Sequence, residues 1–471
     1  MDHGPGPPHR RQHPHRDGTL GHRPLTRRAQ WRAARRRRDR PRSASRPRRL
    51  PRRSGSPRLP GGFAMTTIVG IGTYLPVWEV SGRRTAGLDE DALTLAVAAG
   101  RALLEGLSAR ADTESTDVRQ VVFITRDLPL LEGGNSAALL AGLALDDDVP
   151  VVEQVGGGPA VLDAVATASP GTLVVAADLE PAGAAAALIG ETTPAPTPGG
   201  AELSLLARVA RSLPLSSRGR DGGRWDYDDP RLLLERGTKA ALAKLDLEDP
   251  PSVISGVTPK IAAQLSGGRS PALPTTGASS AIFALAAASA GDVVAAAEQG
   301  SAVAAALTGA PQVWRDEAAP QPLPRTRMTP GPDIGISLPA YDRAFDAKVR
   351  WEAGSCDECG QLAMPPRLRC LGCGSEAGWT LTPLPRVGEV YTKVDIHVPV
   401  PGRATPYSLA IVALDDTDVR TLVTVTGAPS GSVEIGDRGR LVLRLIDTRS
   451  GVPDYGHALL PAPAEPQGET A

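Results

Sequence analysis

The feature that most constrains this 471-residue chain is the placement of its four cysteines, which all fall within 18 residues. They form two C-x-x-C-G turns separated by ten residues. Two thiolates at this spacing point inward from one turn, and the following glycine lets backbone amides approach the sulfurs. The motif therefore predicts a tetrahedral metal site with Cys356, Cys359, Cys370 and Cys373 as ligands. Because four sulfurs leave no position for water, we expect one structural zinc rather than a catalytic metal.

Two other interpretations of these cysteines are weaker. A redox C-x-x-C needs no second copy, and the surrounding sequence lacks a thioredoxin-like setting. Four unrelated cysteines would not repeat the same turn. All four cysteines lie in the motif, so none remains for a disulfide framework, which is typical of a reducing cytoplasm.

The charged residues are distributed very unevenly. Of the 52 basic and 52 acidic residues, the first 64 positions hold 19 Arg and three Asp, which leaves 33 basic and 49 acidic residues at 65–471. A net charge of −16 on that part disfavours nucleic acid and anionic membrane as partners. No apolar run reaches the roughly 18 residues that span a bilayer, and no signal-peptide pattern precedes Met65. We therefore expect a soluble, cytoplasmic protein.

Residues 1–64 contain almost no apolar side chains, so they cannot offset the entropy of ordering, and we predict a disordered segment. An Arg-rich nucleic-acid arm or a transit peptide is one interpretation. Nineteen Arg without a single Lys are also typical of a GC-rich upstream region translated from too early a start. We favour the second interpretation and expect the protein to begin at Met65.

From residue 65 to about residue 319, short β-rich runs alternate with alanine-rich segments of helical period, which indicates a layered α/β domain. Leu88 to Asp91 places acidic residues in the first turn of a predicted helix. Two glycine-led segments, 156–168 and 275–288, resemble each other and predict a duplicated half. The predicted strands are 67–71, 121–125, 149–155, 172–178, 252–255 and 292–297.

The later part of the chain predicts a different architecture. The Ala- and Pro-rich residues 181–200 are typical of a surface insertion, and the Pro-rich residues 311–332 of a linker. A short helix is expected over 337–350, followed by the cysteine motif. Alternating strands then predict a small β-barrel, with 388–398, 408–414, 420–426 and 440–445 as its strands.

We accordingly expect six segments. They are the disordered residues 1–64, an α/β domain at 65–318, a linker at 319–336, a helix with a zinc ribbon at 337–383, an OB-fold barrel at 384–460 and a tail at 461–471. A nucleic-acid-binding OB-fold is one alternative for the barrel. Residues 384–471 carry eight basic against eleven acidic side chains and only three tyrosines, which disfavours that function.

The cysteine module resembles a known family. Residues 335–460 are similar to the zinc-ribbon plus OB-fold family associated with acyl-CoA enzymes, through the paired C-x-x-C-G turns around Met364-Pro365-Pro366, the Pro406-Tyr407 strand entry and the turn at 433–437. Members of that family accompany thiolase-like proteins and bridge subunits or line the route of the acyl-CoA. The resemblance implies acyl-CoA as a ligand.

Residues 65–310 resemble the thiolase superfamily, most closely 3-hydroxy-3-methylglutaryl-CoA synthase and its ketoacyl-synthase relatives. The resemblance implies a thiolase-like αβαβα fold and a homodimer, or a heteromer with an active thiolase-like protein. The segments that carry it are GIGTYLP at 70–76, DEDALTLAVAAGRALL at 89–104, VVFIT at 121–125, VGGGPAVLDA at 155–164, LVVAAD at 173–178 and TTGASSAIFALA at 275–286.

The expected catalytic residues are missing from this resemblance. The nucleophilic cysteine of the superfamily aligns with Val155, and neither Cys nor His occurs between Met65 and Gly354. Ser279 and Ser280 lack an adjacent base, so we expect them to be small residues where a helix packs tightly. The acidic residues Glu79, Glu132, Glu153 and Asp178 are expected to be solvated or hydrogen-bonded surface carboxylates, although a buried one could act as a base.

Four further residues deserve a prediction. His397 is expected on the same exposed strand face as Asp395. His457, near the carboxyl end, is likewise expected to be an exposed polar residue. Trp225 and Tyr227 are expected to cap and pack a following helix, or to form a rim for an acyl chain.

These features lead to one hypothesis and one main alternative. The hypothesis is an acyl-CoA-binding, non-catalytic protein that assembles with, or channels acyl-CoA to, an active thiolase-superfamily enzyme. The alternative is a condensing enzyme of the hydroxymethylglutaryl-CoA synthase or thiolase type that uses residues other than cysteine. The retained scaffold without its nucleophile motivates the first.

Overall fold

The computed structural model describes residues 65–110, 117–191, 200–210, 213–214, 216–219, 223–227, 229–332 and 335–462. The predicted disordered segment 1–64 and most of the predicted tail lie outside the described residues. Gly62–Ala471 forms one compact unit. No described helix is long and apolar enough to cross a membrane.

A mixed ten-stranded sheet forms the centre of the α/β domain. All six predicted strands are present, as β1, β4, β5, β6, β11 and β12, although the first is longer than predicted. The strands are β1 (Met65–Leu75), β2 (Trp78–Val80), β3 (Arg83–Arg84), β4 (Gln120–Thr125), β5 (Val151–Val155), β6 (Thr172–Leu179), β7 (Ala182–Gly190), β8 (Ala201–Val209), β9 (Ser216–Arg218), β10 (Arg224–Asp226), β11 (Val253–Ser255), β12 (Val293–Glu298), β13 (Ser301–Thr308) and β14 (Val313–Glu317).

Helices cover both faces of this sheet and separate its two halves. The helices are α1 (Ala92–Ser108), α2 (Ser136–Leu143), α3 (Gly158–Thr167), α4 (Ala240–Ala243) with a preceding π-helical segment (Leu232–Lys239), α5 (Pro259–Leu265) and α6 (Ser280–Ala287). Buried side chains of α1 and α2 pack on the outer face of the first half. Those of α3 and α6 lie between the halves, and α4 packs on the outer face of the second. The predicted αβαβα layering is confirmed.

The sheet repeats one topology. Its order is β11-β12-β13-β8-β1-β7-β6-β4-β5, with β14 beside β1. The set β4-β6-β7-β1 and the set β11-β12-β13-β8 share the same order and the same parallel and antiparallel pairings. Helices α3 and α6, the two segments predicted as a repeat, occupy equivalent places in the halves. The duplicated half is therefore confirmed.

Helix α1 begins differently from the prediction. Asp91 is its N-cap and forms a reciprocal capping box with Thr94, with both N···O distances 2.8 Å. The acidic residues thus precede the first turn, which contains none. A capping side chain satisfies amide groups that the helix itself leaves unpaired, so Asp91 acts by hydrogen bonding before the first turn rather than within it.

Close packing of α1 on the sheet depends on Gly72. A Cβ atom at this position would lie 2.2 Å from the carbonyl oxygen of Ala99 and 2.7 Å from Leu103. Glycine therefore lets the backbone of β1 approach the helix directly.

The predicted surface insertion at 181–200 is wrong in its first half. Residues 182–190 form the central strand β7, whose side chains are almost all buried. The run AGAAAALIG has no polar alternation because both faces of the strand are covered, so it escaped strand detection. Residues 192–199 lie outside the described residues. The linker prediction at 311–332 also missed β14, which pairs with β1.

The carboxyl-terminal part forms the predicted ribbon and barrel. Residues 338–350 form α7 (Leu338–Phe345) and a π-helical turn (Asp346–Arg350). The strands are β15 (Gln321–Pro322), β16 (Arg327–Met328), β17 (Glu352–Cys356), β18 (Leu362–Ala363), β19 (Trp379–Pro383), β20 (Val387–Ile396), β21 (Ala404–Thr405), β22 (Tyr407–Leu414), β23 (Arg420–Val425), β24 (Arg438–Arg449) and β25 (Val452–Pro461). A closed barrel has the order β20-β22-β23-β25-β24. Strand β25 was not predicted.

A buried polar cluster joins the barrel to the start of α1. The guanidinium of Arg444, in β24, lies 3.1 Å from the Glu90 carboxylate and donates to the hydroxyl of Tyr74 at 3.0 Å. Tyr74 also donates to Glu90 at 2.5 Å, and Tyr455 of β25 donates to Asp91 at 2.6 Å. The barrel therefore contacts the capped end of α1 through groups that water does not reach.

Candidate functional site

The structure brings the four cysteines together. Cys356 ends β17 and is buried, whereas the other three lie in the two turns that follow. All four sulfur atoms lie within 4.8 Å of one another. A three-stranded sheet, β18-β17-β19, supports the first turn. The four predicted ligands therefore lie together, as a metal site requires. Neither unrelated thiols nor two disulfides would require all four sulfurs to be so close.

The sulfur separations fit a single tetrahedral ion. Cys356 Sγ lies 3.8 Å from Cys373 Sγ, and Cys359 Sγ lies 3.6 Å from Cys370 Sγ. Bond lengths of about 2.3 Å to zinc imply an edge of roughly 3.8 Å between sulfurs. The residues present therefore suit a metal that accepts four thiolates, held as a structural centre with no open position.

Backbone amides prepare these thiols to bind a cation. The amides of Cys373 and Gly372 lower the pKa of Cys370 to about 6. The amide of Ser375 lowers the pKa of Cys373, but hydrogen bonds to the other sulfurs, led by Cys359, and desolvation raise it to about 12. A cluster that holds negative charge on at least one sulfur at neutral pH attracts a cation, and cation binding releases the remaining protons.

The position aligned with the superfamily nucleophile lies at the end of β5. Val155 is the last residue of that strand and 54% exposed, and α3 begins three residues later. No described side chain of the α/β domain is a thiol or an imidazole. The local geometry of strand, turn and helix is retained without a group that can attack a thioester.

A buried carboxylate occupies the start of the second central helix. Asp178, at the end of β6, accepts hydrogen bonds from the amides of Ala278 and Ser279 at 2.7 and 2.9 Å. The Ser279 hydroxyl donates to it at 2.6 Å and lies 2.8 Å from the hydroxyl of Thr275. Asp178 is 4% exposed, so the prediction of a surface carboxylate is wrong. The hydrogen bonds offset the loss of water.

These contacts fix the chemistry available to Asp178. Burial raises the pKa of Asp178, and the hydrogen bonds from Ser279 and Ala278 oppose the shift. Both oxygens of the carboxylate accept hydrogen bonds from the amino end of α6. Ser279 and Ser280 are fully buried, as predicted for tightly packed positions, but the expectation that no base lies beside them is wrong for Ser279, whose hydroxyl donates to Asp178. The group links the two halves of the domain.

An ion pair lies at the amino end of α3. Arg126, which directly follows β4, pairs with Glu298, the last residue of β12. A Cβ atom at Gly157, the N-cap of α3, would overlap the Glu298 carboxylate. Negative charge is stabilised at such a helix end. A carboxylate therefore lies against the turn between Val155 and α3.

The sequence contained a signal for this pair that we missed. Arg126 and Glu298 each stand at the carboxyl end of a buried strand, where α/β proteins place functional side chains. The remaining carboxylates differ in setting. Glu132 is exposed, and Glu153 accepts hydrogen bonds from Asn135 and Ser136 at 2.5 and 2.7 Å.

His457 is buried in the barrel rather than exposed. It is 6% exposed, lies on β25, and its ring centroid is 4.5 Å from that of Trp351. Burial lowers the pKa of His457 to about 3, helped by the charge of Arg386, so the ring is neutral at pH 7. The residue that looked terminal is therefore covered by Trp351 and by the π-helical turn, where its Nδ1 lies 3.2 Å from the Lys348 carbonyl oxygen.

Two adjoining cavities run along the barrel surface. The first, of about 370 Å³, lies between the α/β domain, the segment 323–328 and the barrel. The second, of about 510 Å³, lies between α7 and β23 and includes His457 in its lining. Arg403 and Tyr407 line both, with the guanidinium 5.5 Å from the ring centroid. The cavities combine apolar walls with cations, and the carboxylates of Asp89 and Asp447 also line the first.

Two other predictions require correction or refinement. Trp225 and Tyr227 do not pack in the core: they are 57% and 37% exposed and contact each other edge to face at 5.7 Å. Each follows or lies in the short hairpin β9–β10, which leaves their rings at the surface. His397 is exposed as predicted but follows β20 instead of lying within it.

Comparison with known proteins gives one clear relationship. No family model matches the chain. The chain is 34% identical over 133 residues to the benzoylsuccinyl-CoA thiolase subunit BbsA of Thauera aromatica, which covers 28% of this chain and 90% of that protein. It is 41% identical over 61 residues to the BbsA subunit of Geobacter metallireducens, across 13% of this chain and 40% of that protein.

Two solved structures also resemble parts of this chain. The Ltp2-ChsH2(DUF35) aldolase is 25% identical, across 28% of this chain and 99% of that one, with a TM-score of 0.23. The 3-oxoacyl-[acyl-carrier-protein] synthase III of Aquifex aeolicus VF5 is 16% identical, across 52% and 99%, with a TM-score of 0.39. Because these TM-scores are low, the fold is assigned from the strand order of this chain and not from these structures. By its relationship to a thiolase subunit, the chain belongs to the family of the benzoylsuccinyl-CoA thiolase subunit BbsA.

Proposed function

We propose that this protein is a non-catalytic subunit that binds acyl-CoA and assembles with an active thiolase-superfamily enzyme. The proposal is supported by the thiolase-like layering of the α/β domain, in which Val155, the residue that the resemblance aligns with the nucleophile, ends β5. The Arg126–Glu298 pair lies beside that position, so a substrate carbonyl would meet a carboxylate and not a thiolate. The relationship to a protein named as a thiolase subunit supports the accessory role.

The barrel cavities supply the support for acyl-CoA as the ligand. An acyl-CoA combines phosphate groups with a long apolar arm. Arg325 and Arg403 line the first cavity beside Trp78 and Met328, and Lys348 lines the second beside Trp351. Arginine suits phosphate recognition, and apolar walls suit the acyl chain. Together the two cavities provide cations for the phosphate groups and apolar walls for the acyl chain of such a ligand.

Zinc is the proposed occupant of the four-cysteine cluster. Tetrahedral four-thiolate sites select zinc over harder cations such as magnesium and calcium. The ion would hold Cys356, Cys359, Cys370 and Cys373 and keep the ribbon against the barrel. With all four positions filled by sulfur, the ion has no catalytic role in this proposal.

Beside Glu298, which is paired with Arg126, the condensing-enzyme alternative has one further candidate base, Asp178. Its two oxygens already accept three hydrogen bonds, and neither of the two barrel cavities includes it in its lining. A base must reach the proton that it abstracts. The nucleic-acid alternative has little support from a part of the chain whose net charge is −16. We therefore favour the accessory role.

We expect the full-length protein to bind acyl-CoA thioesters without consuming them. The test is titration calorimetry with thioesters of increasing acyl length, followed by chromatographic measurement of free CoA. Arg403→Glu should weaken binding at least about tenfold, since it reverses charge where the ligand phosphates would lie. Lys260→Glu, a matched reversal on the exposed start of α5, should not. Release of free CoA by the protein alone would sink the accessory role, and unchanged binding by Arg403→Glu would displace the ligand from these cavities.

The partner is expected to dock along β5. In the part of the chain that the structure describes, this strand ends the sheet and pairs with β4 alone, and Val152 and Val155 are 43% and 54% exposed. The opposite edge strand, β11, is fully buried. An exposed apolar edge strand favours pairing with another chain. We propose that β5 forms the contact with the catalytic subunit.

The test of this contact is co-expression with a thiolase-superfamily protein that retains its Cys and His and is encoded by a neighbouring reading frame. We expect co-purification, and Val152→Asp should reduce the recovered partner at least about tenfold by placing a charge in an apolar interface. Val398→Asp serves as the matched control, because Val398 is 74% exposed but lies outside the sheet. Equal recovery with both variants would argue against β5 as the contact.

A further inference from the structure

The most exposed large apolar side chain of the described residues lies on the cysteine ribbon. Leu368 is 91% exposed, and Leu371, three residues later, is 73% exposed. Water contact with apolar surface of this size is unfavourable, and contiguous apolar patches mark interaction sites. Both leucines stand in the turn that carries Cys370, so their position is set by the same residues that hold the thiol cluster.

This turn is well ordered by its own hydrogen bonds. The amide of Cys370 donates to the Ser375 carbonyl at 2.9 Å, and the amide of Gly374 donates to the Cys370 carbonyl at 3.1 Å. The guanidinium of Arg369 donates to the Gly374 carbonyl at 3.2 Å. The leucines are therefore presented by a fixed backbone, and an interaction would order few additional groups.

A shallow cavity lies directly beside the leucines. Its volume is about 230 Å³, and its lining includes Leu368, Leu371, Met364 and Trp379 together with polar groups. Trp379 is 41% exposed. The protruding leucines and the hollow thus belong to one surface, which we call the ribbon face. Trp, Met and Arg are among the residues enriched at protein interfaces, and Trp and Arg are among those that contribute most to binding.

Charge on the ribbon face is also of both signs. Arg367, Arg420 and Asp418 line the cavity. Arg420 lies over the ring of Tyr391 at 3.8 Å. A two-fold axis places the same patch on both partners, so each protrusion can meet the other's hollow, and one arginine of each copy can meet Asp418 of the other. A surface that carries both halves of a complementary pair suits a second copy of itself.

We propose that the ribbon face is a self-association surface at which Leu368 and Leu371 of one copy enter the hollow beside Trp379 of a second copy. This contact is separate from β5 and does not depend on acyl-CoA binding. Both copies keep β5 free for the catalytic subunit, so the contact would join two such assemblies. The metal cluster then gains a role in assembly as well as in folding.

The test is sedimentation equilibrium of the full chain carrying Val152→Asp and Val155→Asp, which removes association through β5. Measurements at about 0.5 M salt screen contacts of the Arg-rich segment while leaving apolar contacts intact. We expect a concentration-dependent dimer whose dissociation constant rises at least about tenfold on adding Leu368→Asp and Leu371→Asp. Leu338→Asp, on the exposed start of α7, is the matched control and should leave the dimer unchanged.

Metal content and circular dichroism show whether each variant is folded, and a milder pair, Leu368→Ser with Leu371→Ser, serves if the aspartates disturb the ribbon. A monomer at all concentrations before the leucines are changed would overturn the proposal. So would a dimer that both leucine pairs leave intact. Neither result would bear on acyl-CoA binding, which is measured separately.

Discussion

Replacing Cys356 by serine is expected to abolish metal binding and unfold the ribbon. Cys356 is 7% exposed, ends β17 opposite Trp379 and is the most buried of the four thiols. A hydroxyl is a poor ligand for zinc beside three thiolates. Structural zinc sites contribute apparent binding free energies of about 10–16 kcal/mol, which is comparable to the stability of a whole domain. The measured zinc content should fall from one ion per chain to none.

Ser355→Ala is the matched control for this experiment. Ser355 is the adjacent residue, and its hydroxyl makes only a 3.4 Å contact with the Gly360 carbonyl. Elemental analysis and thermal unfolding of both variants should separate them clearly, with metal retained by Ser355→Ala. A Cys356→Ser variant that keeps one zinc with unchanged affinity would contradict the four-thiolate centre.

The second large effect is expected at Arg444. Arg444→Met should lower the free energy of unfolding by about 3–5 kcal/mol, because it leaves the buried Glu90 carboxylate without its cation. Arg444 is 2% exposed, and its guanidinium also donates to Thr426 at 3.2 Å. Urea unfolding of the full chain measures the change.

Two further variants sharpen this measurement. Adding Glu90→Gln to Arg444→Met removes the unpaired charge and should recover part of the loss. Arg438→Met breaks an ion pair with Asp415 at an arginine that is 53% exposed, and should change stability by less than about 1 kcal/mol. Equal effects of Arg438→Met and Arg444→Met would show that the Glu90 contact does not stabilise the fold.

The parts of the structure that depend on local pattern were predictable. The C-x-x-C-G spacing identified the thiol cluster, since a turn of this kind dictates where its sulfurs point. Short β-branched runs such as 121–125 were recognised as strands because their period and bounds are local. The glycine-led repeats revealed the duplicated half for the same reason.

The parts that depend on distant contacts were not predictable. Asp178 meets Ser279 across 101 positions, and Arg126 meets Glu298 across an even longer stretch of the chain. In neither pair does the local sequence around one residue identify the other. His457 looked terminal because it lies near the end of the sequence. It belongs to β25, a barrel strand that follows its partner β24 after a short turn. Strand β7 was lost because alanine gives no polar alternation.

The joint at Arg444 has a consequence for how this protein persists in a cell. The α/β domain and the barrel share a desolvated cluster, so separating them would expose Glu90 and Arg444 together with the cap of α1. We therefore expect the two modules to unfold as one cooperative unit. Loss of a metal bound by the four cysteines would then be expected to reduce the abundance of the entire chain, since proteases remove what is globally open.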